Sequence, residues 1–406
     1  MLHPLETRNA LVQDSNVSAN VIQPAKVIVD RSFCLYVHQP LFCDHCAFGR
    51  RSLDSTGQTR IIALRISFLS CMRAVMSSLK RVINSKTLSD LVKCGAINTD
   101  GIRLFDCSFT TAPPAKPNPT EFRKNSYGKF EKLMKRDSPQ KRDFLAARIP
   151  GAVHADLGVG LFPGQVQRFE MYSPELFEQF VQLLGLNKDE HVILYSRGRI
   201  GGMLHAFKMG WLLKSYGHSI EKMSVLDGGF ENWTKQGLGV DNSPNPYQPN
   251  RGNWLAKDNT SINITFEEME AKDASGKAIW DKASEYNLLD TRVREQYEGI
   301  SEAFVRDYAA KGLKGHFIPG TMCLPTVEMV NSEGLLKSPE ELRQMTKNVG
   351  FVEGKPVITT CIIGFQAAMA SMVLEYAFSG LETRMFNGSM TEMIARNPSR
   401  ITGKVH

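Results

Sequence analysis

A chain of 406 residues is too long for one ordinary domain and calls for two, with material left over. Its 42% hydrophobic and 22% charged content excludes a disordered or fibrous protein and is enough for two apolar cores. The net charge of +7 is not gathered into a tract with stacking or groove-reading residues, so no nucleic-acid partner is expected, and a small anion suits the positive field better.

Residues 1–76 match nothing that follows and read as an N-terminal extension, poorly ordered. Within it, Cys43-Asp44-His45-Cys46 beside His38 lacks a second pair at zinc spacing, so no metal is expected. The apolar run Ile61 to Val75 offers a docking helix or strand as the alternative, and Met76 a second start. The first residues lack the apolar core of a secretory signal, and no run of eighteen apolar residues occurs, so no membrane partner is expected. Eight scattered cysteines form no disulfide framework and point to a reducing compartment. The expected location is cytoplasmic, with the mitochondrion second.

A regular alternation of β and α segments then begins. Ser85 to Lys93 opens like a capped short helix, and Ile102 to Phe109 reads as an alternating strand. The basic stretch Arg123 to Arg142 reads as a solvated loop. Ala147 to Leu157 is a tight turn into a strand, and Ser173 with Pro174 starts an amphipathic helix. His191 to Ser196 is a buried strand, followed by a Gly-rich loop and a helix from Met203. Met223 to Gly237 closes the unit with a strand, a glycine turn and a short helix.

After the Pro/Asn-rich linker Asp241 to Asn253 the same order returns. Tyr286 to Arg292 matches the strand at Ile102, Ile318-Pro319-Gly320 matches Ile149-Pro150-Gly151, and Ser338-Pro339 matches Ser173-Pro174. This is duplication of an α/β domain around a mostly parallel sheet, with a first domain at 77–240 and a second at 254–402. The most informative stretch is Lys355 to Gly380. A β-branched run ends in Cys361, and an apolar helix follows from Ala367 to Phe378. Amides of the intervening loop, Ile362, Ile363, Gly364, Phe365, Gln366 and Ala367, form an anion-holding concavity that favours a thiolate. Ser196 occupies the place of Cys361 in the first unit, so one domain works and the other supports it.

These motifs, with Leu288-Leu289-Asp290-Thr291-Arg292 and Leu226 to Trp233, resemble the tandem rhodanese-like sulfurtransferases over about Ser77 to Thr402. The resemblance implies two rhodanese-like domains and a sulfur carried as a persulfide on Cys361. It implies a small anionic donor, 3-mercaptopyruvate or thiosulfate, and an acceptor that is cyanide or a thiol such as thioredoxin, with no cofactor. The mercaptopyruvate branch uses two arginines: Arg306 fits one, and at the other this chain has Gln296, with Arg292 nearest. The loop departs from both branches, since Ile362 and Ile363 stand where the family has a hydroxyl or a cation. Arg148 stands where the first domain has a histidine. The phosphatases that share the fold need an arginine closing the loop, and Ala367 and Ala368 exclude them. The expected function is therefore sulfur transfer, with a catalytically weak binding or persulfide-sensing protein as the alternative.

Overall fold

The computed structural model describes residues 79–110, 118–313 and 315–403, all within one compact unit, Arg65–His406. The zinc-like cysteines and the apolar run before Met76 lie outside the described residues. Two five-stranded parallel sheets are present. The first lies in the spatial order Val82–Ile83, Met223–Leu226, His191–Tyr195, Ile102–Asp106, Val153–His154. The second runs Asn263–Ile264, Thr383–Phe386, Val357–Thr360, Asn287–Asp290, Met322–Cys323. Both place their strands in the chain order first, fifth, fourth, second, third, which is the duplication expressed as topology.

The register agrees residue by residue. Asp106 pairs with Tyr195 in the first sheet, and Asp290 pairs with Thr360 in the second, so Ser196 and Cys361 leave their strands at the same point. The Cys107 N–H donates to the Tyr195 carbonyl at 2.7 Å, and the Thr291 N–H donates to the Thr360 carbonyl at 2.9 Å. Likewise the carbonyl of Ser196 accepts from Phe230 at 3.0 Å, and that of Cys361 accepts from Met390 at 3.1 Å.

Two local expectations need correction. The strand at Ile102 ends at Asp106 and is buried on both faces, because helices cover both sides of a parallel sheet and leave no solvent face for alternation. The basic stretch from Arg123 is not a solvated loop but is largely helical: Pro119–Asn125, Phe130–Lys135 and Pro139–Ala146. Asn118 and Ser138 cap two of these helices and each is followed by a proline at the first position, while Phe122, Phe130, Leu133 and Phe144 turn inward and the lysines outward. The first helix, Ser85–Lys93, is capped by Asn84, whose side chain accepts from the Thr87 N–H at 2.9 Å.

Two helices decide how the halves meet. Leu204–Ser215 is buried at every position but Lys214, and Phe365–Ala377 at every position but Gln366 and Tyr376. A helix apolar all round must be covered on all sides. They pack on each other, and one continuous core runs from Phe105 and Leu194 through Trp211 to Met369, Met372 and Met385. Smaller clusters cover the outer face of each sheet. Each large apolar side chain so buried contributes about 1.5–3 kcal/mol.

Candidate active site

Cys361 follows the last residue of the strand Val357–Thr360 and is only 1% exposed. The helix behind it begins at Phe365, two residues earlier than its Ala-rich composition suggests, because Gly364 adopts φ 81° and caps it. Glycine is required there. A Cβ would fall 2.6 Å from the Asn387 carbonyl oxygen and 2.7 Å from its Oδ1. That turn aims the Gly364 N–H at Cys361 Sγ, 3.1 Å away.

The opposite wall of the loop comes from Gly388-Ser389-Met390, the counterpart of Gly228-Gly229-Phe230. Ser389 stands at φ 51°, where the first unit has Gly229 at φ 56°. Its Oγ accepts from the Cys361 N–H at 3.1 Å, donates to the Phe386 carbonyl at 2.8 Å, and lies 3.9 Å from Cys361 Sγ. The Thr391 N–H and Oγ1 donate to the Ile362 carbonyl at 3.0 and 2.9 Å. Ser389 was not singled out from sequence. The duplication carries the signal for it, since a serine replaces a left-handed glycine at the point that touches Cys361.

Ser196 shows how differently the first unit is built. Its Oγ donates to the Gly202 carbonyl at 2.6 Å and accepts from the Ala206 N–H at 3.1 Å, within a longer loop. A hydroxyl closed on its own loop has no free nucleophile. A sulfur that accepts an amide proton is arranged to carry negative charge.

The remaining expected residues are distributed unevenly. Ile362 and Ile363 are half-buried, and Ile363 packs on the shared core. Phe365 is buried, stacked on Phe109 at 5.8 Å and edge-on to Phe169 at 5.0 Å, both from the first half. The carbonyls of Gln366 and Ala367 accept from Thr326 Oγ1 and Thr359 Oγ1 at 3.1 Å each, fixing the first turn of the helix. Arg292 is fully buried beside the site. Its Nε and Nη2 donate to the Asp290 carboxylate at 2.7–3.0 Å, and Nη2 also reaches the His316 carbonyl at 2.8 Å. Asp290 thus already engages two of its three guanidinium nitrogens. Arg306 is exposed on the helix Glu302–Ala310, and among the described residues no hydrogen bond joins it to the Cys361 loop. Arg148, at the position of the family histidine, is turned away. It pairs with Asp241 at 2.9 Å and with Ser243 at 2.8 Å, pinning the linker.

A cavity of about 500 Å³ opens beside the loop. Its walls include Phe109, Phe122, Phe162, Phe169, Arg136 and Thr391, the last joined directly to Ile362. Phe109 and Phe169 were likewise not singled out from sequence, because only the fold brings them to Phe365. Among the described residues no group of His, Cys, Asp and Glu is placed to hold a metal ion, and no helix is long and apolar enough to cross a membrane.

Comparison with known proteins bears on this geometry. Residues 127–236 match the family described as Rhodanese-like domain. The Caenorhabditis elegans protein mpst-1, named as a thiosulfate sulfurtransferase, is 41% identical over 328 residues, which span 80% of this chain and 97% of that protein. The chain belongs to the tandem rhodanese-like sulfurtransferases. The Gallus gallus thiosulfate sulfurtransferase is 26% identical over 319 residues, 79% of this chain and 95% of that one. SseA of Escherichia coli, a 3-mercaptopyruvate sulfotransferase by its description, superposes with a TM-score of 0.56 at 21% identity, covering 77% of this chain and 99% of its own. That last likeness speaks for the fold. As a member of this family the chain is a sulfurtransferase enzyme, and the site just described is its candidate catalytic centre.

Proposed function

We propose that the enzyme moves a sulfane sulfur from 3-mercaptopyruvate or thiosulfate to cyanide or a thiol through a persulfide on Cys361. The observation that carries the reading is the Gly364 N–H held 3.1 Å from Sγ, in a loop whose counterpart closes Ser196 on itself. The Cys361 thiolate attacks the outer sulfur of the donor. With thiosulfate the S–S bond breaks and sulfite leaves with the electron pair. With 3-mercaptopyruvate the C–S bond breaks, and the carbon takes up the thiol proton to give pyruvate. In each case the product is a Cys361 persulfide anion, and the same amide that faced the thiolate stabilises it. Attack by cyanide on the outer sulfur releases thiocyanate and regenerates the thiolate. A dithiol such as thioredoxin gives its disulfide and hydrosulfide, with release of a proton. The two half-reactions predict ping-pong kinetics.

Arg306 is the proposed ligand of a donor carboxylate, supported by its exposure on a helix of the second half, whereas Arg292 is already committed to Asp290. Arg306→Ala should raise KM for 3-mercaptopyruvate about ten- to a hundredfold, as for one lost charge-assisted contact of ~1.5–3 kcal/mol. Unchanged kinetics would remove it from the site. The decisive experiment for the reaction is intact mass after incubation with each donor. One added sulfur on the wild type and none on Cys361→Ser is the expected result. A wild-type protein that takes up no sulfur from either donor would leave the persulfide-sensing alternative.

A further inference from the structure

Lys208 is fully buried in the middle of the helix Leu204–Ser215, yet it belongs to the supporting half of the chain. Burying an ammonium is costly unless a partner compensates it. Its Nζ donates to Asn387 Oδ1 at 2.8 Å and lies 5.6 Å from the centre of the Phe365 ring. The Asn387 amide is held in that orientation from its other side, because Nδ2 donates to Gln167 Oε1 and to the Phe169 carbonyl at 2.9 Å each. The same Oδ1, together with the Asn387 carbonyl oxygen, leaves no room for a side chain on Gly364, whose N–H holds Cys361 Sγ. Lysine, asparagine, glycine and cysteine thus form one connected path from the first half of the chain to the reacting sulfur.

Neither the hydrogen bond to a neutral amide nor the ring face neutralises the ammonium. The surrounding charged groups are otherwise engaged. On its own helix, burial keeps His205 neutral, its pKa pulled down to about 4, and Lys214 is paired with Glu375 at 2.6 Å. Glu375, on the Cys361 helix, also takes the Thr383 N–H and hydroxyl. Glu392, on the helix after Ser389, is bonded to Arg396 and Gln167, and Glu170 faces Arg123. On the strand beneath, burial likewise keeps His191 neutral, with a pKa of about 4. The anion whose charge reaches Lys208 is Cys361.

We propose that Lys208 is a positioning residue for sulfur transfer, the buried counter-charge of the Cys361 thiolate and of the persulfide that succeeds it, supplied across the domain interface through Asn387. The proposal rests on Cys361 as the sulfur carrier but not on which donor loads it. Burial draws the Lys208 pKa from 10.5 down to about 7 even though the Cys361 sulfur acts in the opposite direction and favours the ammonium.

The test reads the sulfur directly, without turnover. Iodoacetamide alkylation of Cys361, followed by mass spectrometry over about pH 5 to 9, reports the thiolate fraction. Lys208→Met keeps the apolar stem and should slow alkylation at neutral pH about tenfold, the equivalent of one pKa unit, with kcat falling more than KM rises. Lys208→Arg should recover most of the loss. A Lys208→Met protein with a native circular dichroism spectrum and a wild-type alkylation profile would overturn the proposal. Should that variant fail to fold, lysine-selective NMR of the wild type and Cys361→Ser gives the reciprocal measurement. The Lys208 midpoint should fall by about one unit when the sulfur anion is removed, since linkage is mutual. An unchanged midpoint would overturn it equally. A protein that passes both tests but gains no sulfur from any donor would defeat the proposed reaction and leave the charge pairing standing.

Discussion

At the residue scale, Ser389 is held in a conformation that suits glycine, and it remains there because its hydroxyl satisfies the buried Cys361 N–H. A left-handed backbone costs a non-glycine residue roughly 1–2 kcal/mol. Ser389→Ala keeps that cost and orphans the amide, so it should destabilise the protein by about 1–3 kcal/mol and slow sulfur loading. Ser389→Gly orphans the same amide but relieves the backbone, as Gly229 does in the first unit, so its melting temperature should lie above that of the alanine variant. The reverse order of the two would mean that the hydroxyl does not support the loop. Two buried histidines set the acid limit. Burial holds His191 and His205 near pKa 4, against about 6.5 in an unfolded chain. As pH falls through that window the unfolded state takes up protons that the native state refuses. Stability present above about pH 6.5 is then lost, by up to about 3 kcal/mol for each histidine, before pH 4 is reached. Urea midpoints measured across the range check this, and a flat profile down to pH 4.5 would contradict it.

At the scale of elements, the crossing of Leu204–Ser215 with Phe365–Ala377 sets where the Cys361 loop sits. Gly210 permits the close approach, for a Cβ there would meet Met372 Cε at 3.0 Å and Leu194 Cδ1 at 3.3 Å. Met372 is the end of a flexible side chain, so Gly210→Ala should cost less than about 1 kcal/mol, helped by the better helix propensity of alanine. Gly210→Val adds two methyl groups that the core cannot absorb, with an expected loss of about 1–3 kcal/mol and a lowered kcat, since the helix it displaces begins at the Cys361 loop. A valine variant with wild-type turnover would show that the loop does not depend on this contact. The elements themselves were largely legible in the sequence, because β-branched runs, Ser-Pro helix starts and Ile-Pro-Gly turns are local signals, and the duplication let each unit check the other. Ser196 opposite Cys361 was readable on those grounds alone. The helices after Asn118 were not, because their basic surface masks four inward aromatic and aliphatic residues spread over more than twenty positions. Lys208, Ser389, Phe109 and Phe169 were beyond reach for another reason. Each meets the Cys361 loop only through pairing and packing of segments far apart in the chain.

At the scale of the whole molecule, what the first half contributes is a wall, a cavity and a charge. It keeps a serine where the nucleophile would be, and it buries the helix behind that serine against the helix behind Cys361. The shared core therefore belongs to neither half alone. Residues 254–406 expressed by themselves would expose the face of Phe365–Ala377 that now meets Trp211 and Gly210, together with the Phe365 ring that Phe109 and Phe169 cover. They would also lose Lys214, the partner of Glu375 in a largely buried ion pair. Against a net stability of about 5–15 kcal/mol for an ordinary protein, such losses are large. The isolated second half should be aggregated or bind a hydrophobic dye. Co-expression with residues 77–253 should restore a soluble complex whose Cys361 is alkylated at the wild-type rate. In the intact chain the same argument requires a single calorimetric transition, with Cys361 protection lost together with far-ultraviolet ellipticity. If the second half alone proved soluble, monomeric and reactive at Cys361, or if two separated transitions appeared, the interface would be a docking contact between independent domains. The supporting half would then have no claim on the chemistry of the sulfur.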